Sequence, residues 1–474
     1  MQWRFEEETL VQRIFIFPHE VTQMKNVPYL SLVALLPLSA CGQPFSNSAS
    51  PGSPVSWVST IKPAHRGRPL QSPIQHIVII VQENRTVDNL FQFLPGANTQ
   101  SFGLGLRGKR KIALQSESLT APYDLSHSHS AFLTEYNNGG MNGFELESCK
   151  GTCPRYPAFA YVPQSDVQPY YTLAKQYTFA DNMFQSNQGP SFPAHQYLVS
   201  GTSTVSDTSP NKAAENPTSP NHTEVGGCDS PAGSLVGVID PAGQEPTNLK
   251  TYPCFHRNSI MNELDAAGVS WKYYQQKPGA GFWNGVDPIY SIWSNKSEMA
   301  AKVITPPSQV LTDIANGHLA DVVWVTPTNL ASDHPVGNNG SGPSWVASVV
   351  NAIGSSQYWN NTAIFITWDD WGGFYDHVTP TIYNSYELGF RVPLIVVSPY
   401  AKNGYVSHVQ HEFGSILKFA EKTFSLPSLG ATDARADDLS DCFNFSKQLT
   451  KFKRIHAKYP ARYFFTLPST EPED

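Results

Sequence analysis

The chain has 474 residues, 40% of them hydrophobic and 12% aromatic, with 38 prolines and 33 glycines. That is enough apolar side chain for a large core, and too much proline and glycine for a helical bundle. Only 15% of residues are charged, the formal net charge is −7 and no long basic run occurs, which excludes nucleic acid as an expected partner.

Met24-Lys25 precedes an apolar stretch from Tyr29 to Ala40, too short to span a bilayer, and then Cys41-Gly42. This is the layout of an export signal. Leu38-Ser39-Ala40-Cys41 resembles the lipobox of bacterial lipoproteins, which implies a lipidated Cys41, membrane contact through it, and a periplasmic or membrane-anchored protein; plain secretion is the alternative. The acidic triplet Glu6-Glu7-Glu8 is the wrong charge for the start of a signal, so translation is expected to begin at Met24. Residues 1–40 therefore read as a signal region, 41–73 as a Ser/Pro/Gly-rich tether, and 74–474 as one folded domain.

In chain order, strands are expected at His76–Gln82, Val269–Tyr274, Val322–Val325, Thr362–Thr367 and Val392–Val397. Helices are expected at Gln168–Gln176, Phe192–Val199, Ser259–Ala267, Gln309–Ala315, Trp345–Ile353 and Phe413–Phe424. Apolar strands separated by helices predict a three-layer α/β fold, a mostly parallel central sheet with helices on both faces. Residues from about 202 to 254 lack periodicity and read as an irregular excursion. Export permits disulfides, and Cys149 with Cys153 and Cys228 with Cys254 are the favoured pairs, leaving Cys442 over. The rival is a zinc site built from His127, His129, Cys149 and Cys153, whose spacing matches no standard zinc pattern.

Three strand ends carry polar clusters. Ile77–Gln82 runs into Glu83-Asn84, Ile364–Trp368 into Asp369-Asp370, and Val322–Pro327 leads to Ser332-Asp333-His334. If the strands are parallel, Glu83, Asp369 and Asp370 converge at one sheet edge. Like charges that close need a cation, and oxygen ligands suit a hard divalent ion. Each acid alone would more simply cap the turn that follows it. Ser191, in Gly189-Pro190-Ser191-Phe192-Pro193, sits at a helix start, where a hydroxyl is either an ordinary cap or an activated nucleophile. No Gly-x-Ser-x-Gly elbow surrounds it to suggest acyl chemistry. His127, His334 and His377 complete the set, His377 following Asp369-Asp370 through a glycine turn.

Glu83-Asn-Arg-Thr-Val-Asp88, Ser191-Phe-Pro193, Asp369-Asp-Trp-Gly-Gly-Phe-Tyr-Asp-His-Val378 and Gly389-Phe-Arg-Val-Pro393 occur in that order. In these stretches the chain resembles the bacterial phosphoesterase family that holds secreted phospholipases C and a group of acid phosphatases. The resemblance implies an alkaline-phosphatase-like fold and one divalent metal ion, held by Glu83, Asn84, Ser191, Asp369 and Asp370. It implies Ser191 as nucleophile and His127, His334 and His377 around the phosphate, with Asn84, His127 and His334 contacting substrate. Arg85 and Asp88 are expected to support the turn as an ion pair or cap. Val87 and Asp370 depart from the family's usual Phe and Glu, and Ser191 with Ala194-His195 is closer to the acid phosphatases than to the plant lipases. Phosphoester hydrolysis is the expected activity; a sulfatase or other esterase on a related fold, or a non-enzymatic surface lipoprotein, are the alternatives.

Overall fold

The structure, a computed structural model, describes residues 72–220, 226–276 and 282–468. The expected signal region, Cys41 and nearly all of the expected tether lie outside the described residues. Among the described residues, no helix is long and apolar enough to cross a membrane.

Eight strands form the central sheet: β1 (His76–Gln82), β2 (Thr178–Ala180), β3 (Trp271–Tyr274), β4 (Val303–Ile304), β5 (Val322–Val325), β6 (Thr362–Trp368), β7 (Leu394–Val397) and β8 (Tyr405–Ser407). Their order is β4-β3-β5-β1-β6-β7-β2-β8. Only β7 runs against its neighbours β6 and β2; the remaining pairs are parallel. The mostly parallel α/β architecture is thus as the alternating pattern predicts.

β1 lies inside the sheet, parallel to β5 on one side and β6 on the other. Ile77 to Gln82 are all buried, as a strand covered on both faces requires. Among the helices are α1 (Val87–Phe91), α2 (His129–Tyr136), α3 (Gln168–Gln176), α4 (Ser191–Ser200), α5 (Ile260–Ala267), α6 (Gln309–Ala315), α7 (Gly342–Gly354) and α8 (Phe413–Phe424). They pack in two groups, α3 and α6 against α7, and α5 and α8 against α4.

Register brings the chemistry together. Gln82 pairs with Trp368 across β1 and β6, so the residues that follow each strand leave from the same edge. The Asp369 N–H donates to the Gln82 carbonyl at 2.9 Å, and the Arg85 N–H donates to the Asp370 carbonyl at 3.0 Å.

Two expectations change, and the favoured disulfide pairs are met. The strand read as Val392–Val397 begins at Leu394, after Pro393, which has no N–H to give a ladder. The excursion is not wholly irregular: Lys212–Ala213, Val236–Ile239 and Lys250–Thr251 form a small antiparallel sheet, too short in each strand to show a period. Cys149–Cys153 and Cys228–Cys254 are disulfide-bonded, so the zinc alternative at His127 and His129 loses its thiolates.

Candidate active site

The turn after β1 is built around Asn84, whose φ of 61° is left-handed, a region asparagine tolerates better than most residues. That conformation lets its backbone N–H donate to Asp369 Oδ1 at 3.0 Å. Two glycines make the facing turn after β6. At Gly372, φ is 59°, and a Cβ there would lie 2.6 Å from the Asn84 carbonyl oxygen. The Gly372 N–H donates to Asp370 Oδ1 at 2.7 Å and fixes that carboxylate.

Ser191 is the first residue of α4, and its hydroxyl donates to Asp370 Oδ2 at 3.2 Å. Four residues along the same helix, His195 Nε2 lies 3.3 Å from Glu83 Oε1 and 3.8 Å from Asp369 Oδ2. Positions i and i+4 share a helix face, so α4 presents a hydroxyl and an imidazole to one carboxylate cluster. Glu83, Asn84, Ser191, Asp369 and Asp370 are completely buried.

His127 joins the cluster from the loop before α2. Its Nδ1 donates to the Leu125 carbonyl at 2.8 Å, which leaves Nε2 to accept from the Asn84 side-chain amide at 3.3 Å. The same Nε2 is 4.0 Å from Asp370 Oδ2. His334 repeats the device: Nδ1 faces the Val336 carbonyl at 3.2 Å, and its ring centre is 6.4 Å from that of His127. In each ring the backbone carbonyl holds Nδ1 and leaves Nε2 as the other nitrogen.

A buried frame holds these pieces. Arg85 donates to the carbonyls of Asp333 (2.9 Å) and Leu119 (3.0 Å) and lies over the Phe374 ring; burial lowers its pKa to about 10. Asp333 accepts from Tyr170 at 2.8 Å and Trp368 at 3.0 Å, and burial, opposed by the Arg85 charge, pushes its carboxyl up to about 6. Arg85 therefore ties the end of β1 to the loop that carries His334.

His377 is the departure. Its Nδ1 is 2.7 Å from Asp88 Oδ2 and its Nε2 3.1 Å from Asn98 Oδ1, beside the Arg391–Asp376 pair. Among the described residues none of its hydrogen bonds reaches Asn84, Ser191 or the carboxylates, so the glycine turn does not fold it over the centre. Burial works to lower its pKa, but the hydrogen bond and charges of Asp88 and Asp376 hold it above the usual value. Asp88 supports the turn through His377 and Arg391, not through an ion pair with Arg85.

Sequence reasoning missed three contributors. His195 had a signal, its i+4 spacing from Ser191. Glu215 and Asn216 had none. They come from the excursion, Asn216 Oδ1 accepting the Phe192 N–H at 3.0 Å and Glu215 Oε1 the His129 N–H at 3.0 Å.

The donor set fits a divalent cation. Asn84 Oδ1 and Asp369 Oδ2 are buried without a hydrogen-bond donor among the described residues, and Asp369, Glu83 and His195 each offer a ligand atom within 4.8 Å of the others. Carboxylates, a helix-borne serine and two imidazoles thus meet at the strand ends, where open α/β sheets bind their ligands.

A model of the Phosphoesterase family matches residues 74–427, and the chain belongs to that family. It is 27% identical over 439 residues to "Phospholipase C A" of Mycobacterium tuberculosis, covering 79% of this chain and 78% of that one. It is 27% identical over 462 residues to "Non-hemolytic phospholipase C" of Burkholderia pseudomallei, covering 81% and 61%. Among solved structures, a protein of the alkaline phosphatase superfamily from Vibrio parahaemolyticus is similar at a TM-score of 0.36 and 10% identity, over 80% of this chain and 71% of that one. The protein is a hydrolase of phosphoric esters.

Proposed function

We propose that Ser191 is the nucleophile of a metal-dependent phosphoesterase, with Glu83, Asn84, Asp369 and Asp370 holding one divalent ion beside it. The observation that carries this reading is the Ser191 hydroxyl aimed at Asp370 within a buried carboxylate cluster. When bound, such an ion screens the phosphate charge and lowers the pKa of a nearby hydroxyl.

The chain's own residues supply the rest. Asp370 orients the Ser191 hydroxyl, and Oγ attacks phosphorus as its proton leaves to solvent through the carboxylates. The bond from phosphorus to the leaving alcohol breaks, and that oxygen takes a proton from Nε2 of His127 or His334. Water then attacks the phosphoserine, the bond from phosphorus to Oγ breaks, and Oγ is reprotonated. The Asn84 amide gives Nδ2 to the His127 imidazole, which leaves Oδ1 to serve the ion.

Substrates are phosphomonoesters or phospholipid headgroup esters, the latter suggested by the names of the relatives. Export, with anchoring through Cys41, belongs to the same proposal. Ser191→Ala should abolish turnover of p-nitrophenyl phosphate and of its phosphorylcholine ester without unfolding the chain, and retained turnover would dismiss Ser191 as nucleophile. Asp370→Asn should lower metal content as well as rate. Hydrolysis of p-nitrophenyl sulfate in preference to the phosphate would favour the sulfatase reading instead.

A further inference from the structure

Cys442 is the one cysteine among the described residues outside a disulfide, and it is buried. It adjoins a group of side chains far along the chain from the catalytic residues of β1 and α4. We propose that His411, Asp441 and Cys442 form a second divalent-cation site, of the kind that takes zinc.

The spacing of the ligand atoms is the main argument. Asp441 Oδ1 is 3.5 Å from His411 Nε2 and 3.6 Å from Cys442 Sγ, and one ligand atom from each of the three residues lies within 4.8 Å of the others. Tetrahedral zinc, with bonds of about 2.0–2.3 Å, requires ligand-to-ligand edges of about 3.3–3.8 Å. Two edges of such a tetrahedron are therefore present.

The surroundings orient the ligands. His411 Nδ1 lies 2.7 Å from Asp437 Oδ1, and a carboxylate behind an imidazole is the usual support of a metal-bound histidine. It leaves Nε2 facing Asp441 and Ser407, whose Oγ is 3.2 Å away. The Ser407 hydroxyl also donates to the second oxygen of Asp441 at 2.5 Å, which holds that carboxylate in place. Imidazole, carboxylate and thiolate make a softer set than the oxygen cluster at the catalytic centre, so the two sites select different ions. His411 and Cys442 are buried, while the Asp441 side chain is 21% exposed and gives a route in. Binding expels the thiol proton to solvent, so affinity rises with pH. The ion would join His411, just before α8, to the segment Ser440–Cys442.

The test is cobalt substitution of the full-length protein after chelation, followed by absorption spectroscopy and metal analysis. The catalytic cluster has no thiol, so a thiolate-to-cobalt charge-transfer band reports this site. Wild type should show the band and hold one more equivalent of metal than Cys442→Ser, which should lack the band while hydrolysing p-nitrophenyl phosphate at the wild-type rate. Cys442→Asp, which keeps an anionic ligand, should lose the band and retain the extra equivalent. Absence of the band in wild type overturns the proposal and leaves the thiol as a hydrogen-bond donor to Asp441. Persistence of the band in Cys442→Ser overturns it equally, by assigning the signal to Cys41.

Discussion

His195 Nε2 stands 3.3 Å from Glu83 Oε1, joining the first turn after β1 to the helix that carries Ser191. A protonated imidazole there compensates the carboxylates; a neutral one is a ligand or an orienter. Either way its loss loosens the cluster. His195→Ala should weaken divalent-metal affinity about 10–100-fold, the usual cost of removing such support. Chelator competition on the purified protein measures it, and unchanged affinity would remove His195 from the site.

Gly372 faces Asn84 with no room for a side chain. Ala at this position would place Cβ 2.6 Å from the Asn84 carbonyl oxygen on a backbone with φ of 59°. Gly372→Ala should destabilise the protein by about 1–3 kcal/mol and disturb the Asp370 carboxylate that the Gly372 N–H holds. Denaturant unfolding and p-nitrophenyl phosphate turnover should fall together; wild-type values in both would show that the turn relaxes freely.

Asn216 acts on the nucleophile from the excursion. Its Oδ1 accepts the N–H of Phe192, one of the donors that the start of a helix leaves without an intrahelical partner. Asn216→Ala should cost about 1 kcal/mol of stability, as loss of a helix cap does, and lower kcat more than it raises KM. Asn216→Asp keeps the acceptor and should restore both, which a packing role alone would not do.

Glu135 and Glu147 form a carboxyl pair beneath the site, where Glu135 accepts the Trp371 indole N–H at 2.7 Å. Burial pushes the Glu147 carboxyl up to about 7, although hydrogen bonds from Glu135 and the Ser148 N–H oppose it. A folded pKa above the usual 4.5 means the folded state binds the extra proton more tightly. The associated stability is full below pH 4.5 and is lost as pH rises through 7. Glu147→Gln should remove about 1–3 kcal/mol of that pH dependence. Urea unfolding at pH 4.5 and pH 8 measures it, and an equal slope in both proteins would locate the titration elsewhere.

Much of this was legible along the chain. The apolar run Ile77–Val81 can be satisfied only inside a covered sheet, and parallel strands must end at a common edge, so Glu83 and Asp369 meet by backbone geometry alone. The Gly372-Gly373 pair announces a tight turn in the same way. These are local rules, set by alternation, burial and permitted φ. The histidines obey no such rule. His377 carries the same motif signal as its neighbours, yet Asp88 and Asn98 capture both its nitrogens, while His195 is turned to Glu83 by the pitch of its helix. Asn216 reaches Phe192 from the excursion, where Lys212 and Ala213 just before it pair with Ile239 and Val238. Side-chain chemistry is written in the sequence, but its partner is chosen by packing between distant segments, and only the folded chain makes that choice.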